Sequence, residues 1–141
     1  MRYAYPVELL EAPDGITVTF PDVPGAITCG DTMAEALERG RDALVSIMSA
    51  LVEDNLPIPR PSPARGRTVI SVPALAAAKL ALHDAMLAAS LSNVELGRRL
   101  GLDEKQVRRL RDPLHRSRID TVETALRSLG RRLEVEVRES A

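Results

Sequence analysis

Basic side chains concentrate in one stretch of this sequence. Between Arg98 and Arg118 there are eight Lys or Arg residues against three Asp or Glu, a local charge of +5, although the whole chain carries only −1. Ammonium and guanidinium groups attract phosphates even when the rest of a protein is nearly neutral. A local surface of this charge is suited to a nucleic acid, and such a surface needs helices or strands to position it.

The same stretch carries the pattern of a helix-turn-helix. In that motif the two helices approach closely, which requires a small residue within the first helix, a glycine in the turn and buried apolar residues on the second helix. Gly97, Gly101, Val107 and Leu110 occupy these places. Over about twenty residues, Leu91–Leu110 resembles the helix-turn-helix of the Cro/lambda-repressor type. Capping pairs at the predicted starts of both helices support this interpretation: Ser92 with Glu95, and Asp103 with Gln106.

The second helix of the motif supplies candidate contacts to DNA bases. If Val107 and Leu110 face inward, helical geometry turns the polar residues outward. Arg and Lys can bond guanine, Gln can pair with adenine, and Glu can accept from cytosine. Five residues are therefore candidates for base contacts: Glu104, Lys105, Gln106, Arg108 and Arg109. The resemblance to the Cro/lambda family favours three of them, Glu104, Lys105 and Arg109.

Phosphate contacts are predicted around this helix. Ser92 and Asn93 lie at a helix N-terminus, where free N–H groups point outward, and Arg116 and Arg118 lie in the following loop. The alternative is that these basic residues form only a solvated helix face. The few aromatic residues, Phe20 and two tyrosines, argue against base stacking on single-stranded RNA.

Catalytic, metal and cofactor sites are not predicted. Cys29 is the single cysteine, and the two histidines lie in other predicted elements, so neither a nucleophilic dyad nor a Cys/His metal site is available. We expect Cys29 to be a buried or half-buried structural thiol. The carboxylates Asp14, Asp22 and Asp31 stand beside turn signals and form no clear metal-binding pattern. Without a membrane-spanning segment or a signal peptide, the sequence predicts a cytoplasmic protein that is not an enzyme.

The first half is predicted to be a small β-β-β-α-β domain, residues 1–72. Alternating apolar residues, turn signals and a Thr32/Glu35 capping box define its elements. Its charge is −4, from 6 basic and 10 acidic residues. The predicted elements are strands in Met1–Leu10, Ile16–Phe20, Ala26–Cys29 and Thr68–Val72, with a helix over Met33–Asp54.

The second half, residues 73–141, is predicted to be an all-α domain, which makes the chain α+β overall. A helix over Ala74–Ser90 precedes the helix-turn-helix, and an apolar stripe from Ile119 to Gly130 predicts a last helix. The tail Leu133–Val137 alternates as a short exposed strand does, which suits pairing across a dimer.

The first half carries five short motifs: Phe20–Gly25, Thr28–Thr32, Glu35–Leu37, Ala43–Leu44 and Ile58–Ser62. Together they resemble the HicB antitoxin family. The resemblance covers most of residues 1–72, and HicB variants that carry a C-terminal helix-turn-helix match the rest of the chain. The resemblance implies a degenerate ribonuclease-H-like fold that has lost nuclease activity and covers the active site of a small HicA-type, mRNA-cleaving toxin.

The leading hypothesis is a type II antitoxin that also represses its own operon by binding operator DNA. One short motif rarely supplies enough affinity, so a homodimer or homotetramer is expected. The acidic first half suits a basic toxin. The alternative is a transcriptional regulator whose first domain only oligomerises or senses a small ligand. An RNA-processing enzyme would need a carboxylate cluster that the sequence does not offer.

Overall fold

The computed structural model describes residues 2–139, and their architecture is α+β, as predicted. A small β-rich half with one long helix precedes a half made of four helices. The strands are β1 (Ala4–Pro6), β2 (Glu8–Ala12), β3 (Gly15–Thr19), β4 (Ile27–Gly30) and β5 (Val69–Ser71). The helices are α1 (Met33–Glu53), α2 (Ala74–Ala88), α3 (Asn93–Leu100), α4 (Glu104–Arg111) and α5 (Ile119–Ser128).

The N-terminal strand differs from its prediction, because it is divided between two sheets. β1 pairs antiparallel with β5, whereas β2 pairs with β3, which in turn pairs with β4. The Val7 amide donates to the Thr68 carbonyl over 2.9 Å, so the chain follows β5 through Val7 and joins β3 at Glu8. The side chains of Tyr3, Tyr5 and Val7 are nevertheless all buried, as the alternation predicts.

Helix α1 packs across the sheets and begins and ends within one residue of the prediction. Thr32 caps it by accepting a hydrogen bond from the Glu35 amide (3.2 Å). Its buried face includes Gly40, Leu44 and Met48. A Cβ at Gly40 would lie 2.9 Å from Ile70 Cδ1, so the missing side chain allows the helix to approach β5 closely.

The prediction that Cys29 is buried or half-buried is wrong: its thiol is exposed. A Cβ at Gly30 would lie 2.5 Å from the Ala36 amide nitrogen, so Gly30 faces α1. Because successive strand residues point to opposite faces, Cys29 points away from the helix. Asp22, in a turn as predicted, accepts hydrogen bonds from the amide and hydroxyl of Ser62, both at 2.9 Å, and so holds the proline-rich segment in place.

Helix α2 belongs to both hydrophobic cores. Ala76 and Leu80 pack in the first core, with the sheets and α1, whereas Ala78 and Leu82 pack in the second, with the other helices. Two residues correspond to about 200° of helical rotation, so these pairs lie on nearly opposite faces. The helix therefore joins the two halves directly, and a boundary between residues 72 and 73 stays a prediction.

The C-terminal tail, residues 131–139, forms neither helix nor strand within a single chain. Leu133 is partly buried against the second core, but Val135 and Val137 are 80% and 92% exposed. Pairing of this tail across a dimer stays a prediction. Within residues 2–139 no single helix is long and apolar enough to cross a bilayer; α2 and α3 pass a test of length and composition only as a pair, bent by 109°.

Candidate nucleic-acid interface

The turn between α3 and α4 confirms the close packing predicted at Gly97. A Cβ on Gly97 would lie 2.4 Å from the Leu102 carbonyl oxygen, closer than any real side chain comes. The Leu102 amide also donates to the Gly97 carbonyl over 2.9 Å. Gly101 ends α3 in the left-handed conformation, at φ 70°, as a turn glycine does. Two eight-residue helices are thus held against each other by a short turn.

Both helices begin at the predicted caps. The Ser92 hydroxyl accepts from the Glu95 amide (3.1 Å). At α4, the Asp103 carboxylate accepts from the Gln106 amide (2.7 Å) and the Gln106 side-chain oxygen accepts from the Asp103 amide (2.9 Å), which completes a capping box. The side-chain oxygen of Gln106 is therefore engaged in the cap, and the side-chain amide nitrogen of Gln106 is the group left to contact a base.

The outward face of α4 has the composition that the sequence predicts. Val107 and Leu110 are 0% and 4% exposed, so they fix which side of the helix is buried. Four of the five predicted base-contacting residues are exposed: Lys105, Gln106, Arg108 and Arg109. Glu104, the fifth, is only half-buried. The structure therefore leaves a largely basic helix face open to solvent.

Glu104 is held by two neighbours. Asn93 Nδ2 donates to Oε1 over 3.2 Å, and Arg108 Nη2 lies 3.0 and 2.9 Å from the two carboxylate oxygens. The hydrogen bond from Asn93 and then that from Arg108 lower the pKa of Glu104. An ionised carboxylate only accepts hydrogen bonds, as a contact to a cytosine amino group requires, and in this structure Arg108 engages both of its oxygens.

The predicted phosphate contacts lie on two sides of this face. Ser92 and Asn93 line a groove of about 610 Å³ together with Glu104, Arg108 and residues of α1. Arg116 and Arg118 are exposed in the loop between α4 and α5, outside this groove, and Arg118 pairs with Asp120 over 2.9 Å. Asn93 is half-buried, with both ends of its amide hydrogen-bonded to protein groups.

Sequence reasoning missed three buried polar residues behind this face: Lys79, His83 and Arg111. Arg111 Nη1 donates to Asn93 Oδ1 (2.7 Å), and Nη2 donates to Asn55 Oδ1 (2.8 Å) and to His83 Nδ1 (2.6 Å). Because a guanidinium has no acceptor, His83 Nδ1 must be unprotonated, and Nε2 donates to the Leu56 carbonyl (2.7 Å). Burial, and secondly the charge of Arg111, lower the pKa of His83.

Lys79 fixes the chain that follows α4. Four oxygens lie within hydrogen-bond distance of its ammonium group, which shares three N–H donors among them: the carbonyls of Arg109 and Asp112, each at 3.0 Å, the carbonyl of His115 and the hydroxyl of Ser117. Burial lowers its pKa to about 8. The one signal in the sequence was a lone lysine within the Ala- and Leu-rich run of α2. Lys79 thereby holds the loop that carries Arg116 and Arg118.

Comparisons with known proteins agree on one family. Residues 2–81 match the family model described as a HicB-like antitoxin of a bacterial toxin-antitoxin system. The chain is 42% identical over 131 residues to antitoxin HicB 2 of Photorhabdus laumondii, which covers 93% of this chain and 94% of that protein. It is 40% identical over 133 residues to antitoxin HicB of Escherichia coli, which covers 93% and 96%.

A solved structure of a HicA3 and HicB3 toxin-antitoxin complex also contains a similar chain, at 26% sequence identity and a TM-score of 0.40. The match covers 43% of this chain and 71% of the chain in that complex. The curated relatives are named as antitoxins, which is a non-enzymatic role. The family match spans more than half of the chain, and the relatives match nearly all of it. This chain therefore belongs to the HicB-like antitoxin family of bacterial toxin-antitoxin systems.

Proposed function

We propose that this antitoxin neutralises a HicA-like, mRNA-cleaving toxin through its first half and represses its own operon by binding operator DNA through α3 and α4. The toxin partner follows from the family, whose members are antitoxins of bacterial toxin-antitoxin systems. The observation that carries the DNA-binding part is the exposed basic face of α4, set against α3 by the contact at Gly97. This is the arrangement by which a second helix enters the major groove.

The base and phosphate contacts that we propose divide between the two helices and the loop. Lys105 and Arg109 on α4 are exposed and suited to guanine, and Glu104 is suited to cytosine. Arg108 lies on the same face, beside Glu104, and Gln106 lies at its flank. Ser92 and Asn93 at the start of α3, with Arg116 and Arg118 beyond α4, are proposed to bind the phosphates that fix the register of the motif.

A measurement of binding to the protein's own upstream DNA tests this proposal. Fluorescence anisotropy compares that duplex with a random duplex of equal length at physiological salt. Arg109→Ala is expected to weaken binding to the upstream duplex by about 1 to 3 kcal/mol, whereas its affinity for the random duplex should change little. Arg127→Ala is the matched control, because Arg127 is an exposed arginine on α5. The DNA-binding proposal is refuted if the unchanged protein does not distinguish the two duplexes.

We further propose that two copies of the chain pair through their tails. An eight-residue helix spans few base pairs, so specific binding needs a second copy on a neighbouring half-site. Leu133 packs on the second core, while Val135 and Val137, on the same side of an extended chain, are exposed. Antiparallel pairing of two tails would cover these valines and supply partners for their backbone groups.

Sedimentation of the full chain tests this pairing. Replacing Val135 and Val137 by Asp is expected to shift the dimer to monomer, because like charges would face each other across the paired tails. Replacing the exposed Glu134 and Glu136 by Gln is the control that leaves the apolar positions intact. A double Asp variant that sediments as the unchanged protein does would exclude the tail as the contact.

The toxin-binding part is tested by co-purification with the product of the adjacent gene. Co-purification of a small basic protein whose mRNA cleavage is inhibited by this chain supports the antitoxin function. If no such protein binds, the chain acts instead as a regulator whose first half oligomerises or senses a small ligand.

A further inference from the structure

The two halves of the chain are joined by hydrogen bonds as well as by α2. In each bond, one residue belongs to the first half and the other lies on α2 or α4, or directly after α4. In two of them the acceptor lies just after α1, at Asn55 and at the Leu56 carbonyl. The four bonds are Tyr3 to Asp84 (2.6 Å), Ser49 to Asp112 (2.8 Å), Arg111 to Asn55 (2.8 Å) and His83 to the Leu56 carbonyl (2.7 Å).

Arg111 is the centre of this interface. It is only 6% exposed, and its three hydrogen-bond partners are two amides and a neutral imidazole. No ion pair to Arg111 is present among residues 2–139. A buried cation without a carboxylate is costly, and its planar fork imposes a fixed geometry on what it bonds. The position of Arg111 therefore determines the positions of its partners.

Asn93 passes this constraint on to the DNA-facing surface. A guanidinium only donates, so the atom of Asn93 that faces Arg111 must be the oxygen. The amide nitrogen then faces Glu104, to which it donates over 3.2 Å. If Arg111 moved, the amide of Asn93 would be able to turn over, and Glu104 would lose this donor.

We propose that Arg111 is a positioning residue for the DNA-facing surface, and that Asn55 of the first half completes it by holding one branch of its guanidinium. The relay Asn55–Arg111–Asn93–Glu104 makes the first half a part of the DNA-binding apparatus without requiring it to contact DNA. This inference rests on the proposed binding of DNA by α3 and α4, and its structural part is measurable without DNA.

Asn55 is the residue at which to test the relay. It is exposed and has a φ of 55°, so Asn55→Gly removes the side chain in a backbone conformation that glycine adopts readily. Asn55→Asp is the matched control, because its carboxylate still accepts from Arg111. The experiment uses the full chain and two measurements: the titration of the Glu104 carboxyl carbon by NMR, and affinity for the upstream and random duplexes.

Asn55→Gly is expected to raise the pKa of Glu104 towards its ordinary value and to weaken binding to the upstream duplex by about tenfold, or about 1.4 kcal/mol. Binding to the random duplex should change little, since the phosphate contacts proposed for Ser92 and Asn93 use the free N–H groups at the start of α3, which the substitution leaves in place. Asn55→Asp keeps the acceptor for Arg111 and should keep the preference for the upstream duplex, while its added negative charge weakens binding to both duplexes equally.

The relay is overturned if Glu104 titrates identically in Asn55→Gly and in the unchanged protein, whatever the DNA result. The relay is also overturned if Asn55→Gly weakens binding to both duplexes equally. Failure of the unchanged protein to prefer its upstream duplex would instead refute the proposed function, while the titration would still decide whether Asn55 and Arg111 position Glu104.

Discussion

Replacement of Gly97 by Ala tests the contact on which the α3–α4 arrangement depends. The new Cβ would lie 2.4 Å from the Leu102 carbonyl oxygen. A carbon and an oxygen normally stay at least about 3.3 Å apart, so the backbone would have to move by roughly 0.9 Å. Overpacking of this kind costs about 1 to 3 kcal/mol, and the better helix propensity of Ala returns at most about 1 kcal/mol. Because the clash is with backbone, we expect a net loss of about 2 kcal/mol.

Urea unfolding followed by circular dichroism measures this loss. With a slope of about 2 kcal/mol per molar urea, the midpoint should fall by about 1 M. Gly101→Ala is the matched control: a Cβ there meets nothing within 4 Å, and only the left-handed backbone at φ 70° opposes it, at about 1 kcal/mol. A Gly97→Ala midpoint equal to or above that of the unchanged protein, or a greater loss in Gly101→Ala, would refute the close packing of α3 on the turn.

Two further predictions concern the buried polar residues of α2. The pKa of His83 is lowered in the folded chain, so the unfolded chain binds the proton first, and stability should fall as pH decreases from about 7 through 6.5. Urea midpoints at pH 7.5 and 5.5 check this, and the prediction is wrong if His83→Gln shows the same pH dependence. Lys79→Met leaves three backbone carbonyls and the Ser117 hydroxyl without their donor. We expect a loss of about 3 kcal/mol, or a melting temperature lower by about 10 °C, and an unchanged melting temperature would show that water replaces the ammonium group.

The elements that the sequence predicts well are those whose signals are local. The capping pair at Thr32 and Glu35 and the alternation of Tyr3, Tyr5 and Val7 each depend on neighbours within a few residues, and the structure confirms them. The packing at Gly97 was also predictable, because only a small residue fits where two helices meet within one short turn.

What the sequence could not predict depends on distant partners. Arg111 follows the buried Leu110 and lies among arginines that are exposed, yet its acceptors are 18, 28 and 56 residues away. No spacing rule connects these positions. The prediction for Cys29 was wrong for a related reason. Which face of β4 is buried depends on where α1 crosses the sheet, and the close contact of Gly30 with α1 shows that Cys29 lies on the opposite, exposed face.

The shared helix and the relay together bear on how toxin and operator would influence each other. Two halves joined by a flexible linker would bind their partners independently, but here α2 contributes to both cores and Arg111 bonds Asn55 in the first half. If a toxin bound to the first half displaces the end of α1, the relay transmits the movement to Glu104. Linkage then requires that the operator change the affinity for toxin by the same factor as toxin changes the affinity for operator. Asn55→Gly should therefore reduce this shared factor, and an unchanged factor in that variant would mean that the coupling passes through α2 instead.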